Sequence, residues 1–69
     1  GVKNRLKSIR HKHEMNQKEF AKYLGLNISQ YNRYELQRAQ PTLEIVLRIA
    51  EKTGLAVEQI VYLDDTPGE

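Results

Sequence analysis

Apolar residues recur along this chain at helical spacing, in short bursts divided by polar breaks. Val2, Leu6 and Ile9 stand at i, i+4 and i+7 among basic residues, which predicts an amphipathic helix over residues 2 to about 12, ended by "HKHEMN". Asn16 followed by Glu19 has capping-box spacing, so a second helix begins at Gln17 and buries Phe20, Ala21 and Leu24. Gly25 ends it, because the residue after a helix commonly takes a positive φ that glycine adopts cheaply. Asn27 with Gln30 repeats the box, and a third helix runs to about Glu35 or Leu36. Beyond the polar loop "LQRAQP", Thr42 caps a fourth helix with a buried stripe of Leu43, Val46, Leu47 and Ala50. Ile45 and Ile49 widen its apolar arc, so this helix is expected either to be central to the core or to be partly covered by another subunit. Gly54 closes it, and a fifth helix over about Val57 to Val61 offers Val57, Ile60 and Val61 behind the weak cap Ala56. With no strand alternation in the pattern, the expectation is an all-α fold of five helices over residues 1–63 and a flexible tail over 64–69.

The second and third helices, joined by a three- or four-residue turn holding a glycine, form a helix-turn-helix. Counting from Gln17, the positions that must be buried carry Phe20, Leu24, Leu26, Tyr31 and Tyr34, Ala21 lets the helices cross closely, and Gly25 makes the turn. At about 100° per residue, Tyr31 and Tyr34 lie on one side of the third helix, while Ile28, Ser29, Asn32, Arg33 and Leu36 share the opposite arc. An amide, a guanidinium, a hydroxyl and apolar groups on one face suit base edges in a major groove. Arg33 matches guanine O6 and N7, Asn32 matches adenine N6 and N7, and Ile28 matches a thymine methyl.

Composition narrows the remaining options. Sixty-nine residues bury only about 60% of the surface of the unfolded chain, and with no cysteine the fold must rest on packing alone. His11 and His13, two apart, do not face each other on a helix and have no third ligand nearby, so no metal is expected, and no cofactor either. No apolar run approaches the roughly 20 residues of a membrane span, and the first residues lack a signal-peptide apolar region, which points to a soluble, cytoplasmic protein. No nucleophile has a base at useful spacing, and the adjacent carboxylates Asp64 and Asp65 sit in the tail, which argues against an enzyme. The net charge of +2 is unevenly spread: residues 1–40 carry nine basic and three acidic side chains, residues 41–69 two basic and six acidic. A basic front of net +6 and an acidic back of net −4 suit a molecule that orients itself toward a polyanion.

On "RLKSIR", "NQKEFAKYLGL", the Tyr34–Glu35 pair and "PTLEIVLRIAEKTGL" with its successor helix, the chain resembles the Cro and phage-repressor type of helix-turn-helix regulator, from about Asn4 to Leu63. The resemblance implies a five-helix, lambda-repressor-like domain that binds double-stranded DNA sequence-specifically and regulates transcription, more often as a repressor. It also implies that Gln17 contacts a phosphate and braces the third helix, and that Arg10 pairs with Glu35 as an architectural ion pair. Further phosphate contacts are expected from Asn16 at the helix start and from Gln37, Arg38 and Gln40 in the following loop. Three positions depart from the family's pattern: Gln37 stands near where glycine is usual, and Tyr31 and Tyr34 replace aliphatics. So small a domain covers few base pairs, so a symmetric homodimer on a palindromic operator is expected, with Ile49, Ile60, Val61, Tyr62 and Ile45 as candidate contacts. The rival expectation is an antitoxin or anti-regulator that grips a protein partner through the apolar C-terminal helices.

Overall fold

The computed structural model describes residues 1–65. Along the chain lie β1 (Val2–Asn4), α1 (Leu6–Lys12), α2 (Gln17–Leu24), α3 (Ile28–Glu35), α4 (Leu43–Thr53), α5 (Val57–Ile60) and β2 (Val61–Leu63). The five helices stand where the apolar pattern puts them, but the fold is not purely α. β1 and β2 pair antiparallel, Val2 with Leu63, Lys3 with Tyr62 and Asn4 with Val61. Val2 therefore belongs to a strand, and α1 starts only at Leu6. A three-residue strand is too short to display an alternating period, which is why the pattern missed it. Of the expected tail, Asp64 still donates its backbone N–H to Gly1 O at 2.8 Å, and residues 66–69 lie outside the described residues.

The caps form with one exception. Asn16 and Glu19 exchange side-chain-to-backbone bonds of 2.8 and 2.9 Å at the start of α2. Asn27 Oδ1 accepts from the N–H groups of Ser29 and Gln30, but the Gln30 side chain does not close the box; it donates to the Tyr34 hydroxyl at 2.7 Å. Thr42 caps α4, and Gly25 and Gly54 end α2 and α4 at φ 75° and 74°. Ala56 has no side-chain acceptor to offer, and Gln59 compensates in part by accepting from its N–H at 2.8 Å.

Leu6, Ile9, Phe20, Ala21, Tyr31, Tyr34, Val46, Ile49 and Ile60 form the core. α4 enters it rotated from the expected face: Val46 and Ile49 are buried, whereas Leu43 and Leu47 are 70% and 50% exposed and Ala50 is half-buried. Six apolar residues spread round α4 leave its orientation to be fixed by the helices it meets, α2 and α5. Ile49 and Ile60, expected at a subunit contact, are therefore core residues with no surface to offer a partner. His13, just past α1, is half-buried against the core. Its Nδ1–H donates to Ile9 O at 2.9 Å, and its ring packs beside Phe20 and Tyr23 at 5.2 and 5.7 Å.

Candidate nucleic-acid interface

Two phenol rings seat α3. Tyr31 meets Phe20 edge-on at 5.8 Å between centroids, and Tyr34 lies equally deep in the core. Burying these rings turns the other arc outward, so Ile28, Ser29, Arg33 and Leu36 are exposed and Asn32 is half-exposed. Rings of this size contribute on the order of 2 kcal/mol or more each through burial, enough to fix the rotation of a two-turn helix.

A polar cluster beneath the C-terminal end of α3 sets its position further. Arg10 on α1 grips Glu35 with both edges of its guanidinium, Nε to Oε2 at 2.7 Å and Nη2 to Oε1 at 3.2 Å, and its Nη1 reaches Met15 O at 3.1 Å. The Glu35 side chain is only 3% exposed. Two further groups converge there, the Tyr31 hydroxyl donating to Oε2 and Gln17 Nε2 donating to Oε1 at 3.0 Å, and Gln17 Oε1 in turn accepts from Asn32 Nδ2 at 3.1 Å. Burial pushes the Glu35 carboxyl up, but the bonds from Arg10, Tyr31 and Gln17 outweigh it and hold the group below its usual range. The bond to Glu35 also lifts the Arg10 guanidinium, and burial together with the neighbouring carboxylate raises the Tyr31 phenol well above its ordinary value. At neutral pH the cluster holds one cation, one anion and a neutral phenol.

The loop after α3 is shaped by Gln37, which takes φ +60°, the left-handed conformation that glycine holds most cheaply. Its side-chain amide acts as a third strand. Arg5 N–H bonds Ile60 O at 2.8 Å, so odd residues of the first strand face β2, and the N–H and C=O of Asn4 point to the free edge. There Gln37 Oε1 accepts from Asn4 N at 3.1 Å and Nε2 donates to Asn4 O at 2.9 Å. Asn4, only 5% exposed, returns the tie: its Nδ2 donates to Tyr34 O at 2.7 Å and Gln40 Oε1 at 2.9 Å, and its Oδ1 accepts from Leu6 N–H at 3.1 Å.

The sequence-predicted residues thus divide. Ile28, Ser29, Asn32, Arg33 and Leu36 share one outward face, with Gln17 beside it. Asn16 is exposed at the head of α2 with its side chain engaged in the cap, and Lys18 and Lys22 are exposed further along that helix. Arg38 is exposed, whereas Gln37 and Gln40 turn inward and bond to Asn4 and to each other. Asn4, which holds α3 at its end, carries no sign of that role in the sequence, and Gln30, expected to close a capping box, holds the flank of α3 instead. A polar residue two places before the apolar anchor Leu6 carries no period that flags it, and only the missing glycine at position 37 hinted at a special loop. Among the described residues, no group of His, Asp or Glu is arranged to hold a metal ion, and no helix is long and apolar enough to cross a membrane.

The comparisons with known proteins agree with this geometry. The family model described as helix-turn-helix matches residues 6–60. The chain is also 34% identical over 65 residues to an uncharacterized HTH-type transcriptional regulator of Methanocaldococcus jannaschii, covering 93% of this chain and 98% of the relative. The chain belongs to the helix-turn-helix family of the Cro/C1 type, whose members are DNA-binding transcription regulators.

Proposed function

We propose that this protein is a cytoplasmic, sequence-specific repressor that lays α3 in the major groove of a palindromic operator as a symmetric homodimer. The observation that carries the reading is the α3 face itself: Arg33, Asn32, Ser29 and Ile28 project from a helix whose other side is locked by Tyr31 and Tyr34. Arg33 takes a guanine edge, Asn32 an adenine edge and Ile28 a thymine methyl, with Ser29 beside them. Asn16 and Gln17 at the head of α2 lie against a phosphate, and Arg38 adds a charged backbone contact. Gln37 and Gln40 serve this interface by shaping the loop that carries Arg38.

With Ile49 and Ile60 inside the core, the subunit contact falls to half-buried Ile45, Val61 and Tyr62 and to Val2 and Leu63, exposed beside the latter pair on the sheet. Half-sites would then lie about 34 Å apart. The apolar groups gathered on the sheet, Val2, Val61, Tyr62 and Leu63, support the second reading, an antitoxin or anti-regulator that grips another protein; sedimentation of the chain alone as a monomer at micromolar concentration would favour it.

The experiment is binding to an operator selected from a random DNA pool and to its single-base variants. Arg33→Ala is expected to cost about 1–3 kcal/mol and to relax one base position, whereas Arg38→Ala weakens all sequences alike and flattens the salt slope. Uniform loss from Arg33→Ala would remove it from base reading.

A further inference from the structure

A groove of about 440 Å³ runs between α1 and the connection from α4 to α5. Successive residues of α1 are about 100° apart, which places Ser8 and Lys12 about 160° round the helix from Arg10, the residue that reaches Glu35 on α3. Arg5, at the head of the helix, falls on the same stripe as Ser8 and Lys12, so the groove lies away from the α3 side of α1. Its floor is apolar, made by Ile9 and the half-buried Leu55. Among the described residues, neither Arg5 nor Lys12 has a carboxylate within ion-pair distance, and α1 itself carries no acidic residue. Arg5 is nevertheless held in place. Its guanidinium lies over the Tyr62 ring at 4.0 Å and Nη1 donates to Glu58 O at 3.4 Å, so most of its N–H groups stay free. Ser8 sets an exposed hydroxyl between the two cations. Gln59 accepts from the Ala56 N–H through Oε1 at 2.8 Å, which leaves its NH2 group as one more donor on the far wall. Against these donors the lining holds a single carboxylate, Glu58.

We infer that this groove binds a small organic anion, a monocarboxylate with an apolar body. The head lies on Ser8, one turn from Arg5 and one from Lys12, where a guanidinium, an ammonium and a hydroxyl all donate. The body covers Ile9 and Leu55. A groove of this volume, apolar below and with a few polar groups converging at one place, has the size and composition of a small-ligand site. A duplex laid along α3 does not reach this side of α1, and a recessed apolar floor suits a hydrocarbon, which a phosphate backbone lacks. The inference stands apart from the reading of α3, since it concerns other residues on another side of the molecule.

The probe is octanoate, followed by backbone amide NMR of the whole chain, with octylammonium and acetate compared at the same ionic strength. Octanoate is expected to move the signals of Ser8, Leu55 and Gln59 and to saturate with a Kd of about 1 mM or below. Octylammonium has the same chain with the opposite charge, and acetate the same head without the chain; each is expected to bind at least about tenfold more weakly. Arg5→Met and Lys12→Met keep an apolar stem, and each is expected to weaken octanoate about fivefold or more. Lys22→Met, the same loss of charge on α2, leaves its affinity unchanged. Lys12 is exposed, so its variant decides the matter should Arg5→Met disturb the sheet through Tyr62. Equal movement by all three probes, movement centred on Val2 and Leu63 of the sheet, or an octanoate affinity untouched by both α1 variants overturns the inference. So does the absence of saturable movement below about 10 mM.

Discussion

Replacing Gln37 by glycine sets two effects of opposite sign against each other, and the structure says which is larger. Glycine holds φ +60° without the steric cost of a Cβ, a gain of about 1 kcal/mol. Against this, the substitution removes the amide that bonds Asn4 N and Asn4 O at 3.1 and 2.9 Å and that accepts from Gln40 at 2.8 Å. At about 1 kcal/mol net for each bond, three bonds come to about 3 kcal/mol, more if the Asn4 backbone stays dry. Gln37→Gly is therefore expected to destabilise by about 2 kcal/mol, which for a domain of this size lowers Tm by roughly 10 °C. Gln37→Ala loses the same amide and keeps the strained φ, so it falls about 1 kcal/mol below glycine. The order glutamine, glycine, alanine is measured by urea unfolding at constant m-value. A glycine variant more stable than the parent chain would show that the amide clamp contributes less than the strain it accompanies, and the account of Asn4 would fail with it.

Two further outcomes follow from the same contacts. Because the folded-state pKa of Glu35 is depressed, its contribution is fully present above the unfolded carboxylate value of about 4.3 and is lost as pH falls through the lower folded value. Urea unfolding of the parent chain and of Glu35→Gln between pH 7 and pH 3 is expected to show a steeper acid loss in the parent, and parallel slopes would refute the assignment. On α4, Ile49→Ala is expected to cost about 2–5 kcal/mol and Leu47→Ser within about 0.5 kcal/mol, since only the first empties core. The reverse ranking in thermal melts of dilute protein would return the helix to the face that its apolar pattern suggested.

Much of this fold is legible along the chain because its signals are local. Asn16 with Glu19, Gly25, Asn27, Thr42 and Gly54 mark helix ends by interactions within one turn, and those ends stand where the residues put them. The outward face of α3 is legible for the same reason, since two tyrosines three residues apart fix the rotation of a short helix. What escaped is non-local. β1 and β2 join residues about 60 apart, and neither three-residue strand has a pattern of its own. The rotation of α4 depends on which neighbours claim its wide apolar arc, and Asn4 acquires its role only when Tyr34, Gln37 and Gln40 arrive beside it.

These non-local ties bear on the way α3, the reading helix of the proposed function, would meet its target. α3 is held at three points by groups from other elements or from its own flank: Glu35 by Arg10 and Gln17, the Tyr34 carbonyl by Asn4, and the Tyr34 hydroxyl by Gln30. The Asn4 tie comes from the sheet that joins the two ends of the described chain, so the exit of α3 is fixed to the part of the molecule that closes the fold. Ordering a rotamer-rich side chain at an interface costs about 0.5–1.5 kcal/mol, and a helix free to roll would add its own loss. In this protein the roll of α3 is fixed during folding, and on its outward face the Asn32 side chain is already bonded, to Gln17. On the proposed reading, affinity depends on how well the groups on α3 match a sequence, and the residues that hold the helix, Gln17 and Asn4 among them, act from behind it.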